Sequence, residues 1–281
     1  MLNNEFDSNQ YLYHFTKYTT ALEYILPKRL IRFSTLKNTN DLRERKEWAF
    51  SMGIPNEDII PFERFQEINK DINSLVKENS KVICFTRDNS IPVEFPYEVF
   101  GRGYSHPRMW AQYGGNHRGV CLMFNKQKLG QEINKQLSQR GMIYKGNVNY
   151  GTTYSRKMLE AFHFRYEDIV REGLMDFAQK HSSKYIKELF FEKALDWKEE
   201  WEYRWVLLDK EKSDYQYVNY KNSLEEIILG EDFPPVYESI ILAYCKKFNT
   251  KASRLLWKNG IPNLFPVYSP YTEEEWARKV F

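Results

Sequence analysis

The stretch WKEEWEYRWVLL, residues 197–208, alternates large apolar side chains with charged ones and constrains the fold more than any other segment. Successive side chains of a strand point to opposite faces, so a strand here places Glu200, Glu202 and Arg204 on one face. The other face is then formed by Trp201, Tyr203, Trp205 and Leu207. A helix is the alternative, because the tryptophans also recur at four-residue intervals. The richness in Trp, Tyr and Val favours the strand, whose aromatic face requires an apolar layer.

Segments typical of strands and of helices alternate irregularly along the rest of the chain. Strands are predicted at YLYHFT (11–16), LIRFST (30–35), KVICFT (81–86), RGVCLMF (118–124), MIYKGNVNY (142–150), YQYVNY (215–220), LEEIILG (224–230) and LFPVY (264–268). Helices are predicted at 19–27, from Asp41, at 61–78, 107–113 and 128–139, from about 155 to 180, after a break at His181 to Ser183, and twice in the last 50 residues. We therefore predict a single α+β domain over residues 1–281, with a mostly antiparallel or mixed sheet, flanking helices and a helical insertion at about 155–196.

Composition excludes several classes of protein. A chain of 281 residues, 42% of them hydrophobic, can bury a sizeable core, and its net charge of +3 allows a nucleic-acid partner without indicating one. Cys84, Cys121 and Cys245 form no CxxC pair, which favours reduced thiols over a disulfide framework or a zinc site. No apolar run approaches the ~20 residues of a membrane-spanning helix, and the start MLNNEFDSNQ has no leader pattern. We expect a cytoplasmic protein with no metal and no membrane partner.

Residues able to carry chemistry lie at the ends of the predicted strands. The sequence contains no dinucleotide-binding, Walker, nucleophile-elbow, zinc-protease or EF-hand motif. His14 lies within the first strand, Ser34 near the end of the second and Thr86 at the end of the third, while Glu200 and Glu202 alternate on a later one. Taken singly, each is most simply a structural residue: a bonded histidine, a turn former or a solvated face.

Two further features allow both a structural and a functional interpretation. Trp110, Tyr113 and His117 lie beside a Gly-Gly pair, where they could line a pocket or form a helix-to-strand corner with Trp110 buried. Asp41 has the spacing of a capping box with Glu44, which favours a helix N-cap, although an N-cap can also lie at the rim of a pocket.

Taken in order, these segments resemble the motifs of a widespread bacterial family of unknown function. YLYHFT resembles a Leu-Tyr-His-Tyr-Thr strand, and FSTLKNTNDLRE a Phe-Ser…Asn-Asp-Pro-Phe-Glu segment. MWAQYGGNHRGVC resembles a Met-Trp-x-His-Tyr…His-Lys-Gly-Val-Cys block, and WKEEWEYRW a Trp-x-Tyr-Glu-x-Glu-Trp-Arg block. That family is in turn similar to the ADP-ribosyltransferase superfamily, although Arg29 stands where those transferases have glycine. The resemblance implies an ADP-ribosyltransferase-like fold.

The same resemblance implies NAD as a substrate and assigns roles to individual residues. Glu202 would stabilise the positive charge that develops on the ribose when the nicotinamide bond breaks, and Glu200 would contact the acceptor. The implied NAD-binding residues are His14, Thr16, Ser34, Phe85, Thr86, Tyr113 and Arg204. The implied substrate or rim residues are Asp41, Trp110 and His117.

The function implied by the resemblance is transfer of ADP-ribose to a macromolecular acceptor, either protein or nucleic acid. Such a protein would be a bacterial toxin or a phage-defence effector of the abortive-infection kind, with a neutralising partner. Two alternatives stay open at this stage. The chain could be a binding or regulatory module that keeps the fold without catalysis, or it could be a nuclease or an NAD glycohydrolase.

Overall fold

A ten-stranded sheet organises the protein in the computed structural model, which describes residues 10–53, 60–89, 97–151 and 155–270. The strands of this sheet and of two small two-stranded sheets are β1 (Tyr11–Thr16), β2 (Leu30–Thr35), β3 (Ser51–Gly53), β4 (Ser80–Arg87), β5 (Val120–Asn125), β6 (Gly141–Asn147), β7 (Asn149–Tyr150), β8 (His163–Arg165), β9 (Glu192–Lys193), β10 (Glu202–Asp209), β11 (Tyr215–Asn219), β12 (Leu224–Leu229), β13 (Lys251–Lys258) and β14 (Ile261–Tyr268). The expected α+β class, with a mostly antiparallel sheet and flanking helices, is confirmed, since only β12 and β13 pair in parallel within the large sheet.

The helices of the described residues flank this sheet. They are α1 (Tyr18–Thr20), α2 (Leu26–Lys28), α3 (Leu42–Arg45), α4 (Phe62–Asn79), α5 (Pro107–Gln112), α6 (Lys126–Leu137), α7 (Arg156–Ala161), α8 (Tyr166–Glu172), α9 (Leu174–Lys184), α10 (Ile186–Phe190) and α11 (Glu238–Phe248). A π-helical turn, Ala21–Ile25, joins α1 to α2, and short 3-10 helices include Tyr97–Gly101, Gly103–Ser105 and Leu195–Glu200. None of the described helices is long and apolar enough to cross a membrane.

The sheet forks at its central strand, β4. One edge of β4 pairs with β10 over its whole length. The other edge is shared, because β1 pairs with it at Thr86 and Arg87 and β2 pairs with it at Lys81 and Val82. From the fork the sheet continues on one side through β1, β5, β12, β13 and β14, and on the other through β2 to β11.

Each face of the central strands contacts a different core. Tyr203, Trp205 and Leu207 of β10 lie in a core formed with the helices from α1 to α2, α6 and α11, which is the apolar layer that the aromatic pattern requires. Val206 and Leu208 lie in a second core, formed with α4, α9 and α10. We call α4 and α7 to α10 the helical layer. Arg204 and Glu202 lie two and four residues before Val206 in the alternation, so they face this layer as well.

The predicted long helix at about 155–180 is wrong. The chain instead forms α7, the short strand β8, α8 and α9. Gly173 takes a φ of 80°, which ends α8 and separates it from α9. The predicted break at His181 to Ser183 is also wrong, since α9 continues to Lys184. His181 is accommodated there because its ring nitrogen bonds to the Ala161 carbonyl at 2.8 Å.

Three other local predictions need correction. The strand of the opening segment begins only at Glu202, because Glu200 ends a 3-10 helix and Trp201 takes a left-handed conformation with φ of 43°. The second of the two helices predicted near the C-terminus is β13, which forms a hairpin with β14. The helix from Asp41 has four residues only.

Arg29 takes the left-handed conformation, φ 54°, at the position where the transferases have glycine. The sequence also predicts a polar loop with proline and glycine from Arg87 to roughly His106, and its middle, residues 90–96, lies outside the described residues.

Close backbone packing ahead of β5 yields a first prediction. A Cβ at Gly119 would lie 2.2 Å from the Thr16 carbonyl oxygen and 2.6 Å from that of Gly114. We expect Gly119→Ala to lower the free energy of unfolding by about 1–3 kcal/mol, as overpacking does. Gly130→Ala is the matched control, because its Cβ meets only a Trp205 ring atom at 3.7 Å inside α6. We expect Gly130→Ala to raise the free energy of unfolding by up to about 1 kcal/mol. Urea unfolding of both variants measures this, and equal effects would contradict it.

Candidate functional site

Five charged side chains meet between the sheet and the helical layer at the start of β10. They are Glu44, Lys193, Glu200, Glu202 and Arg204, here called the polar cluster, and none is more than 5% exposed. Ionised groups are rarely buried unless they are paired, because removing each one from water is costly. The cluster therefore needs close contacts among its members, and the structure supplies them.

Arg204 connects the sheet to two elements outside it. Its Nε donates to Glu202 Oε1 at 2.5 Å, and its Nη1 donates to Glu44 Oε1 at 2.6 Å and to the Phe190 carbonyl at 2.8 Å. The guanidinium is fully buried. Its fixed fork of donors can hold two carboxylates at once, which an ammonium on a flexible stem does less specifically.

Lys193 connects the two glutamates of the opening segment. Its ammonium lies 2.9 Å from Glu200 Oε2 and 2.7 Å from Glu202 Oε2. The Trp197 ring covers it, with Nζ 5.3 Å from the ring centroid. On the outside, Arg108 lies over the same ring and donates to the Asp196 carbonyl at 2.8 Å. We call Leu195–Glu200 the covering segment, because it lies over Lys193 and supplies Glu200.

The cations decide the charge state of Glu202. Burial alone would raise the pKa of this carboxyl, but Arg204 and Lys193 outweigh burial and hold the pKa well below its usual range. Burial likewise opposes the charge on Lys193, and Glu202, Glu44 and Glu200 reverse this and raise the pKa of Lys193. Two close carboxylates alone would raise the proton affinity of one of them. For Glu202 the intervening cations produce the opposite shift.

Two tyrosines extend the cluster. The Tyr113 hydroxyl donates to Glu200 Oε1 at 2.7 Å, and burial and the adjacent Glu200 raise the pKa of Tyr113. The Tyr150 hydroxyl accepts the backbone N–H of Glu202 at 2.8 Å, and burial and Glu202 raise the pKa of Tyr150. Both hydroxyls therefore keep their protons at neutral pH.

The short helix α3 is fixed by its own contacts and carries Glu44 into the cluster. Asp41 caps it by accepting the Arg43 backbone N–H at 2.9 Å, so the predicted N-cap is confirmed. Arg43 donates to the carbonyls of Glu188 and Glu192, and Lys77 donates to the Glu44 carbonyl at 2.8 Å. Glu44 is therefore held from both sides, and its carboxylate turns to Arg204 instead of completing a capping box.

Several buried polar atoms of this region have no hydrogen-bond partner among the described residues. They are Thr86 Oγ1, Asp41 Oδ2, Glu44 Oε2 and Arg204 Nη2. Buried polar atoms are nearly always paired with protein or water, so an unpaired group in a protein interior calls for an explanation. Here a hydroxyl, two carboxylate oxygens and a guanidinium nitrogen are left over at one place, where a polar ligand or water would satisfy them.

The structure brings several of the candidate residues from the sequence together at this cluster. Thr86 lies directly opposite Glu202 in the register of β4 and β10. Glu200 contacts Tyr113 and Lys193, and Arg204 contacts Glu202. Asp41, at the cap of α3, completes this group, and burial raises the pKa of its carboxyl.

His14 and Phe85 lie on the opposite face of the sheet. Tyr13 pairs with Thr86, which pairs with Glu202, so these three residues share a face and their strand neighbours share the other. His14 Nδ1 donates to the Cys84 carbonyl at 3.3 Å, at the fork, where the edge of β4 away from β10 has no paired residue between β1 and β2. The His14 ring lies 5.6 Å from that of Phe85. Burial lowers the pKa of His14, so the ring is neutral with its proton on Nδ1.

The remaining candidates also lie away from the cluster. Thr16 pairs with Val120 at the far end of β1, and Ser34 pairs with Val82, about 13 Å along β4 from Thr86. Trp110 is fully buried and donates from Nε1 to the Tyr104 carbonyl at 2.7 Å. His117 has a φ of 62° and stacks on Trp110 with the ring centroids 6.5 Å apart. Trp110 and His117 thus form the helix-to-strand corner that was the structural interpretation.

Sequence reasoning missed Lys193 and Tyr150 and assigned Glu44 only to a cap. Lys193 fell inside the predicted helical insertion, where a lysine is normally a solvated residue. One signal was present: Lys193 follows FFE and precedes AL, which is an apolar setting for a cation beside a strand with two glutamates. The described residues contain no group of three His, Cys, Asp or Glu arranged to hold a metal ion.

Comparison with known proteins gives one similarity. A family described as "protein of unknown function (DUF2971)" matches residues 109–205. No curated protein and no solved structure matches the chain significantly. The matched segment contains Tyr113, Tyr150, Lys193, Glu200, Glu202 and Arg204, while Glu44 lies outside it. The resemblance to a family of unknown function is thereby supported over this segment, which supplies four of the five charged residues of the polar cluster.

The charge state of Glu202 yields a prediction about pH. Its folded pKa lies below the unfolded value of about 4.3, so its ion pairs stabilise fully above that value, and the contribution is lost as the pH falls through the folded pKa. We expect Glu202→Gln to cost about 3 kcal/mol at pH 7, because Arg204 and Lys193 lose a buried partner. The loss of stability below pH 5 should be smaller than in the wild type.

Glu226→Gln is the matched control. Glu226 is a buried glutamate of β12 whose pKa is raised by burial and whose side-chain partner is the Ser253 hydroxyl. Its contribution to stability is lost as the pH rises, so this variant should be no less stable than the wild type at pH 7. Unfolding free energies between pH 3 and 8 measure both variants. If both variants showed the same pH dependence of stability, the assignment of Glu202 as an ionised, ion-paired carboxylate would be contradicted.

Proposed function

We propose that the protein is an ADP-ribosyltransferase, with an ADP-ribosyltransferase-like fold, that cleaves NAD and transfers ADP-ribose to a protein or nucleic acid. The observation that carries this proposal is the Glu202 carboxylate, which Arg204 and Lys193 keep ionised inside the buried polar cluster. Strongly perturbed ionisable groups collect at functional sites, and here the perturbation coincides with unpaired buried polar atoms.

An ionised buried carboxylate suits the cleavage of a glycosidic bond. When the bond between nicotinamide and ribose breaks, nicotinamide leaves with the electron pair and the ribose carbon becomes cation-like. A carboxylate held beside that carbon stabilises the transition state more than the ground state, and it is most effective where water is excluded. The acceptor nucleophile then forms a bond to the same carbon, and its proton passes to a carboxylate such as Glu200.

The unpaired groups have the chemistry that NAD requires. The Thr86 hydroxyl can bond a ribose hydroxyl, and the free Arg204 nitrogen can donate to a hydroxyl or a phosphate oxygen. The cluster is closed by the covering segment, which must move for a substrate to enter. The proposal does not depend on His14, Phe85, Thr16 or Ser34, because they lie away from the cluster.

The biological setting belongs to the same proposal. A transferase of this kind would act as a bacterial toxin or a phage-defence effector in the cytoplasm, with a neutralising partner. Its acceptor must reach Glu200, which accepts a hydrogen bond from the half-buried Tyr113, one residue beyond the end of α5.

The test compares wild type, Glu202→Gln and Glu226→Gln for nicotinamide release and for transfer of label from NAD to cell lysate. We expect Glu202→Gln to reduce both by at least about 100-fold, as loss of a transition-state-stabilising group does. Glu226→Gln should keep wild-type activity because Glu226 lies outside the polar cluster. Thermal unfolding of each variant separates loss of activity from loss of structure.

The alternatives predict different results. Release of nicotinamide without label transfer would identify a glycohydrolase, and nucleic-acid cleavage that needs divalent ions and no NAD would identify a nuclease. A biological effect unchanged in a folded Glu202→Gln protein would identify a binding module. Neither release nor transfer by the folded wild type would contradict the proposal.

A further inference from the structure

Lys193 lies between the two carboxylates that the sequence pattern singled out. Its ammonium is within 2.9 Å of both Glu200 and Glu202 and only 5% of the residue is exposed. We propose that Lys193 is a positioning residue that keeps Glu200 and Glu202 side by side as two ionised carboxylates. The contacts of the ammonium with both carboxylates carry this role, and the consequence for catalysis rests on the proposed function.

The position of Lys193 is fixed relative to β10 by short-range contacts. β9, which carries Lys193, pairs in parallel with β7, and the Gly151 N–H donates to the Lys193 carbonyl at 3.1 Å. Tyr150 of β7 accepts the Glu202 N–H. Lys193 and Glu202 are therefore linked through Tyr150 of β7, which fixes the backbone of Lys193 relative to β10.

Other charged or titratable groups face the pair from every element around it. They are Arg204 and Cys84 from the sheet, Glu44 and Asp41 from α3 and its cap, Tyr113 from the end of α5, and Tyr150 from β7. Among these, Arg204 is the cation, and Glu44 already occupies its Nη1. Without Lys193, the four carboxylates of this group, that of Asp41 included, would have one guanidinium among them.

The geometry also indicates which carboxylate would then take up a proton. Like charges buried together cannot both remain ionised, so one of them becomes protonated. Glu202 would keep its 2.5 Å bond from Arg204, whereas Glu200 would keep only the Tyr113 hydroxyl. Removing Lys193 should therefore leave Glu202 ionised and place a proton on Glu200.

The experiment uses infrared difference spectra of the full chain at pH 7, without NAD. A protonated buried carboxyl has a C=O band that a carboxylate lacks. We expect this band to be present in Lys193→Met, absent in Lys193→Arg, and absent in the double variant Lys193→Met with Glu200→Gln. Lys77→Met is the matched control, because Lys77 is a buried lysine that donates to the backbone carbonyls of Glu44 and Lys46. It should show no new band.

If the wild type cleaves NAD, kinetics gives a second readout. We expect Lys193→Met to lower kcat about 100-fold with little change in KM, and to shift the acid limb of the pH profile towards neutral pH. Lys193→Arg should recover most of the activity and the wild-type profile. A variant that affects structure alone would not shift the profile.

The outcomes separate this inference from the proposed function. A folded Lys193→Met protein without a new carboxyl band overturns the role of Lys193, whether or not NAD is cleaved. If Lys193→Met does not fold but the double variant does, unbalanced carboxylates caused the failure, which supports the role. If both fail to fold, Lys193 acts by packing and the inference is wrong. A wild type that does not cleave NAD overturns the function and leaves the infrared result to decide the role of Lys193.

Discussion

The hydrogen-bonded ion pairs of Arg204 are the interaction on which the rest of the site depends. The guanidinium is fully buried and joins Glu202 of β10 to Glu44 of α3 and to the carbonyl that ends α10. A buried ion pair repays the loss of hydration only when its geometry is good and its remaining donors and acceptors are satisfied. Here the geometry is good, but not every donor and acceptor has a hydrogen-bond partner. Arg204 Nη2 and Glu44 Oε2 have none among the described residues. A polar ligand or ordered water at this place would satisfy both atoms.

The local sequence pattern was sufficient to predict the secondary-structure elements that carry the cluster. The alternation of β10 and the helical spacing of α4 each depend on neighbours in sequence, and both predictions are confirmed from Glu202 onward and over Phe62–Asn79. The expected strand position of Glu200 is wrong because a left-handed residue intervenes. Alternation assumes continuous extended backbone, and nothing in the types of Trp201 and its neighbours indicates where that assumption ends.

The composition of the cluster could not be predicted from local pattern, because its contacts join distant parts of the chain. Glu44 and Arg204 are separated by 160 residues in the sequence. The sequence around a helix N-cap such as Asp41 does not show whether the glutamate three residues later completes a capping box or points into the protein interior. Lys193 was hidden in a segment predicted to be a helix. The placement of His14 depends on the fork of the sheet, which decides that Tyr13 and not His14 shares a face with Glu202. Register and topology, unlike periodicity, are properties of the whole fold.

The left-handed conformation of Trp201 separates β10 from the 3-10 helix before it, so the lengths of these two segments can vary independently. Within β10, inserting or deleting one residue would exchange the polar and the aromatic faces, because the side-chain period is two. Ahead of Trp201 the backbone is a 3-10 helix, so a change of length there would leave Glu202 and Arg204 on their present face. Relatives of this chain can therefore differ in the segment that closes the cluster while keeping the strand beneath it unchanged. The covering segment is thus the part of the site whose length can change without moving the charged residues of β10 to the other face.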